Sequence, residues 1–176
     1  MGFSKGGFLS KDGTCYSFDE RSNGYIRSEG GGLIFLKPLD QAEKDGDKIY
    51  AVIHGSAVNQ DGATKGISVP NPVAQEELLK IAYDDAGIDP HDVSYVEAHG
   101  TGTFVGDPIE SNSIGNVIGR NRKDFCYMGS VKSNIGHSES AAGIAAITKV
   151  LLQMKHRELV PSLHSKELNP NIDFKN

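Results

Sequence analysis

The chain has 176 residues, 38% of them hydrophobic and 23% charged, which suits one sizeable soluble domain. A formal net charge of −5 with no basic stripe argues against a nucleic-acid partner. The two cysteines, Cys15 and Cys126, show neither metal-ligand spacing nor a disulfide framework. With no signal peptide and no long apolar run, the expectation is a reducing cytoplasm and no membrane partner.

Residues 1–30 read as loop, with Asp-Gly and Asn-Gly turn signals and little periodicity. Gly32 to Lys37 (G-L-I-F-L-K) is a continuous apolar run that predicts a buried strand. Pro38 to Asp45 holds a short helix ended at Gly46, and Ile49 to Val58 predicts a second strand whose core face the alternation leaves open. A polar, glycine-bearing loop follows from Asn59 to Asn71. Asn71 then caps a helix with Pro72 at its first position, running to about Ala86 and stopped by Gly87. Leu78, Leu79, Ile81, Ala82 and Ala86 form its predicted buried face.

From Ser94 the pattern changes. Two short apolar strands, Ser94 to Ala98 and Phe125 to Val131, each run into a glycine-rich loop carrying a histidine, H-G-T-G-T and S-V-K-S-N-I-G-H. Asp107-Pro108 predicts a helix reaching about Val117. After His137 comes a helix that is apolar around nearly its whole circumference, which predicts packing on several sides and further layers or further chain.

His99, His137 and Lys132 thus leave the ends of strands, where ligands bind in α/β architectures. A histidine next to a helix N-terminus tends to stay neutral and can donate to a carbonyl, whereas an isolated one more often caps or fills a loop. Lys132, five residues before His137, favours the functional alternative, since it can hold nearby groups in their working protonation states. The glycines after His99 admit close backbone approach, and the hydroxyls of Thr101 and Thr103 suit a polar, amide-rich tether. A phosphate cradle competes, but the lysine and spacing of a P-loop are missing. Asp107 and Glu110 could be an acid/base pair; a helix cap and a dipole-stabilising residue are the simpler assignment. Two neutral imidazoles and an ammonium can polarise a thioester or stabilise an enolate. Covalent acyl transfer also needs a nucleophile, and neither Cys15, in a turn, nor Cys126, inside a predicted strand, fits.

V-E-A-H-G-T-G-T with G-D-P-I-E, and G-S-V-K-S-N-I-G-H, resemble the two histidine motifs of β-ketoacyl synthases, specifically the ketosynthase domains of modular polyketide synthases. S-F-D-E-R-S-N-G-Y-I-R-S-E-G-G-G, I-Y-A-V-I-H-G-S-A-V-N-Q-D-G and L-V-P-S-L-H-S-K-E-L-N-P-N-I-D-F extend the similarity over nearly the whole chain; Ser28 stands where the family usually has glycine. The resemblance implies an α/β fold, the thiolase-like layered α-β-α-β-α sandwich, incomplete and mainly the C-terminal half. Residues 1–47 would end the N-terminal half and 48–176 form most of the C-terminal half. It also implies a decarboxylative Claisen condensation between an enzyme-bound acyl group and malonyl on the phosphopantetheine arm of an acyl carrier protein. His99, His137 and Lys132 would be catalytic, Thr101 and Thr103 would contact pantetheine, and no metal or directly bound cofactor is expected. The intact domain would be a homodimer working with the remainder of the synthase. The family's nucleophilic cysteine and its later glycine-rich segment have no counterpart here, so the chain alone is expected not to elongate. The alternatives are a thiolase or decarboxylase relative using the two histidines, and a non-catalytic truncated scaffold.

Overall fold

The structure is a computed structural model describing residues 2–66 and 68–175. Met1, Ile67 and Asn176, which fall within the expected loops and halves, lie outside the described residues. In chain order the helices are α1 (Gly2–Lys5), α2 (Leu39–Asp45), α3 (Pro72–Ala86), α4 (Gly106–Ile114), α5 (Lys132–Ile135) and α6 (Ala142–His156). Two strands, β1 (Tyr95–Glu97) and β2 (Tyr127–Gly129), pair in parallel, with Tyr95 opposite Tyr127 and Glu97 opposite Gly129. Because the strands are parallel, both histidine loops leave the same edge of the pair.

Helix α3 begins and ends where local chemistry requires. The Asn71 side chain accepts the N–H groups of Val73 and Ala74, proline occupies the first turn, and Gly87 closes the helix at φ 63°. Its buried face is narrower than expected: Ala74 is the residue it buries, whereas Ile81 is 54% exposed. Helix α2 likewise ends at Gly46, at φ 71°. Helix α4 gives way to a π-helical turn over Gly115–Gly119.

The two strands predicted earlier in the chain are not formed. Residues 32–37 and 49–58 have no ladder partner, and Phe35 (99%) and Val58 (94%) stand in solvent. An apolar run becomes a strand only when a neighbouring backbone takes its N–H and C=O groups, and among the described residues neither run has such a partner. The apolar circumference of α6 also stays open. The residues it buries are Ala142, Lys149 and Gln153, while Leu152 and Met154 are about half exposed. Cys126 was expected inside a strand; it lies just before β2 and is only partly buried.

The core is small, with Phe18, Ala98 and Ile172 at its centre and Ile114 and Met128 against them. The first thirty residues are mostly loop, as expected, and single bridges hold them: Leu9 to Tyr25, Asp19 to Leu168 and Arg27 to His137. Asp19 is fully buried and ties the two ends of the chain together. It pairs with Arg21 at 2.6 Å and accepts the N–H groups of Lys166 and Glu167. No helix among the described residues is long and apolar enough to cross a membrane.

Candidate active site

His99 follows β1 by two residues, and its backbone is held from two sides. Its N–H and that of Gly100 are donated to the two carboxylate oxygens of Glu110, at 2.6 and 2.8 Å, and its carbonyl accepts the Ser130 hydroxyl at 3.1 Å. Asp107, fully buried, accepts the N–H groups of Phe18 (2.9 Å), Gly102 and Thr103. Neither carboxylate has the role assigned from the sequence. Asp107 caps no helix N–H, since Val105 holds the cap position of α4. Both acids reach back from α4 to clamp the loop before it, and the spacing G-D-P-I-E carried a local signal only for a helix start. The loop can close because Gly100 sits at φ 46°, where a Cβ would fall 2.6 Å from that of Ser130.

His137 is placed by a different element. Its N–H is donated to the Ile26 carbonyl at 2.6 Å, and its own carbonyl accepts the Ser28 N–H at 3.0 Å. The loop residues 25–28 thus act as a short edge for it, and the Tyr25 ring lies 5.0 Å from the imidazole, tilted 59° to it. Nothing in the sequence signalled Tyr25. A 3₁₀ turn (Glu139–Ala141) separates His137 from α6, so the ring is not directly at that helix terminus. Instead the Glu139 N–H is donated to His137 Nδ1 at 3.0 Å. That bond fixes the tautomer: Nδ1 accepts, so Nε2 carries the proton and is the donor that remains.

The two imidazoles meet edge to face, with ring centres 5.0 Å apart and planes at 87°. Lys132 opens α5 and is 2% exposed. Burial lowers its pKa, while the carboxylates of Glu110, Glu97 and Asp107 oppose that shift with negative charge. His99 keeps an open edge toward solvent, yet it sits in a concave wall where protein replaces most of the surrounding water. Burial, then Lys132 and His137, hold its pKa down to about 4. His137 is lowered by burial and by Lys132. Both rings are therefore neutral near pH 7. Replacing Lys132 with methionine removes the positive neighbour, so ring titration by NMR should show both histidine pKa values moving upward. A downward or absent shift would contradict the electrostatic role.

The rings open on a cleft of about 320 Å³, also lined by Thr101, Thr103, Ser68 and Gln75. The two threonine hydroxyls are 3.0 Å apart, bonded to each other on the cleft wall. All five residues singled out from the sequence thus belong to one region, the lysine behind the rings and the threonines beside them. Cys15 lies behind the wall, 3% exposed, with its thiol donated to the Thr101 carbonyl at 3.1 Å. Burial pushes its pKa up, so it stays a thiol. Among the described residues no cluster of three or more His, Cys, Asp or Glu could hold a metal.

The family model for the C-terminal domain of β-ketoacyl synthases matches residues 50–166, and that for the N-terminal domain matches residues 1–42. The chain is 57% identical over 171 residues to polyketide synthase PksL of Bacillus subtilis, covering 96% of this chain but 4% of that protein. It is 54% identical over 170 residues to polyketide synthase ThaG of Burkholderia thailandensis, covering 95% of this chain and 3% of that one. Among solved structures, the ketosynthase from module 6 of the bacillaene synthase of Bacillus subtilis superposes with a TM-score of 0.96 at 47% identity. That match covers 99% of this chain and 31% of the ketosynthase, so the fold is a part of the thiolase-like sandwich. With matched motifs, sequence and backbone in agreement, the chain belongs to the β-ketoacyl synthase family, among the ketosynthase domains of modular polyketide synthases.

Proposed function

We propose that these residues are the extender-handling part of a ketosynthase that joins carbon to carbon by decarboxylative Claisen condensation. The observation that carries this is the pair of uncharged imidazoles, 5.0 Å apart, backed by a buried ammonium. Malonyl arrives as a thioester on the phosphopantetheine arm of an acyl carrier protein, with Thr101 and Thr103 bonding the arm's amides. As carbon dioxide leaves, the electrons of the broken C–C bond pass into the thioester as an enolate. His137 Nε2–H and the His99 ring hold its oxygen, and burial together with Lys132 keeps both rings neutral. The enolate carbon then attacks the acyl thioester on an enzyme cysteine; a C–C bond forms and the C–S bond breaks, releasing the thiolate.

Neither Cys15, sealed behind Thr101, nor Cys126 faces the cleft, which supports a nucleophile supplied by sequence beyond these residues. The exposed apolar runs at 33–36 and 49–53 support burial against more of the synthase and a homodimeric domain. The division into an N-terminal part to residue 47 and a C-terminal part from 48 is proposed too; the gap between the two matched family models supports it. No cofactor of its own and a cytoplasmic setting complete the proposal.

Acyl- and malonyl-loaded carrier proteins test it. A ketosynthase containing these residues should form the β-ketoacyl product and the 176-residue chain alone should not. Product from the isolated chain would overturn the external thiolate, and no product from the whole domain would overturn the assignment.

A further inference from the structure

One buried ionic cluster has entered so far only through the negative charge that Glu97 places near Lys132. Glu97, the last residue of β1, has an almost fully buried side chain, and so does Lys149 of α6; the two pair at 2.7 Å. The Tyr95 hydroxyl is donated to the same Glu97 oxygen, Oε2, at 2.5 Å and accepts from Lys149 Nζ at 2.8 Å. Glu97 Oε1 points the other way and accepts the N–H of Val131 at 2.5 Å. Gly129 makes room for the cluster, since a Cβ there would fall 2.6 Å from the Tyr95 hydroxyl and 3.0 Å from Lys149 Nζ.

The position of this carboxylate matters more than its charge. Glu97 stands two residues before His99, and Val131 immediately precedes Lys132. The backbone ladder between the strands ends where the Ala98 N–H meets the Gly129 carbonyl at 2.8 Å. Past that point, side chains bridge the diverging loops, through Ser130 to the His99 carbonyl and through Glu97 to the Val131 N–H. We propose that Glu97, oriented by Lys149 and Tyr95, is a positioning residue: it sets the spacing between the His99 loop and the loop carrying Lys132 and His137. The inference rests on the ketosynthase function above.

A carboxylate is needed because every neighbour is a donor. An amide at this position has one oxygen, so Glu97→Gln must either leave the Val131 N–H without its acceptor or turn an NH₂ toward the Lys149 ammonium, which then keeps only the neutral Tyr95 hydroxyl. Glu97→Gln with Lys149→Met removes that conflict: the amide oxygen takes Val131 and the amide nitrogen donates to Tyr95.

The test is made in the full ketosynthase. In E97Q the kcat for carbon dioxide release from malonyl-carrier protein should fall about 100-fold while KM stays within about threefold, as expected for a displacement near 1 Å. In E97Q/K149M most of that kcat should return. Amide exchange over residues 130–137 should quicken in E97Q and slow again in the double variant. Should E97Q not fold, Val131→Pro makes the same test, because Val131 already sits at φ −61° and the N–H that proline lacks is the one given to Glu97. An unchanged kcat in E97Q or V131P overturns the proposal. So does a double variant that regains its amide protection but not its kcat. Amide exchange reports the tether whether or not malonyl is the substrate. A wild-type protein that releases no carbon dioxide therefore refutes the function, while unchanged exchange in E97Q refutes the tether.

Discussion

Replacing His137 with alanine in the intact ketosynthase should lower the rate of malonyl decarboxylation about 10²- to 10⁴-fold, the range for losing a positioned donor or acid–base group. The middle of that range corresponds to about 4 kcal/mol of transition-state stabilisation. The expectation follows from the tautomer. With Nδ1 accepting the Glu139 N–H, the donor on Nε2 is committed to the cleft, and alanine offers nothing in its place. KM for the malonyl carrier should change little, because the enolate charge appears only as carbon dioxide leaves. His99→Ala should act similarly. The double variant should lose less than the product of the two single losses, since both rings serve one oxygen. Carbon dioxide release under saturating malonyl carrier is the measurement, and an H137A rate within about fivefold of wild type would sink the oxyanion assignment.

The second large effect is expected away from the reacting atoms. Asp107→Ala should destabilise the protein by about 3–5 kcal/mol, because the N–H groups of Phe18, Gly102 and Thr103 lose their acceptor in a region closed to water. A buried donor left without a partner costs about 1–3 kcal/mol, and partial relaxation of the loop makes the sum smaller than three full penalties. Because these residues cover only 31% of a matched ketosynthase chain, the melting temperature of the whole domain should drop by about 2–4 °C. Activity should fall as well, since Thr101 and Thr103 flank the freed loop. Asp107→Asn keeps one oxygen but turns an NH₂ toward these donors, so it should lie between alanine and wild type. A D107A protein melting within about 1 °C of wild type would show that the clamp is dispensable.

Asp107 and Glu110 also mark a boundary of sequence reasoning. Both sit at the start of α4, where acidic residues suit a helix terminus, and the local pattern ended there. Their actual partners lie up to eleven residues back in the preceding loop, or at Phe18, eighty-nine positions away. A carboxylate's choice between its own helix and a distant N–H depends on loop geometry, which spacing alone does not contain. Tyr25 and Glu97 are the same case: each acts through a partner brought close by the fold.

What the sequence determined by itself is local. The Asn71 cap and Gly87 stop of α3, the Gly46 stop of α2, the positive-φ glycine after His99 and the two strand-to-loop histidine motifs each depend on a few adjacent residues. Tertiary structure decided what needs a neighbour from elsewhere in the chain. It brought the two imidazole rings to 5.0 Å and buried Lys132 behind them. It also left residues 32–37 and 49–58 without a ladder. Strand pairing and desolvation are interactions between distant segments, so an apolar run with no backbone beside it stays open, however strand-like its composition.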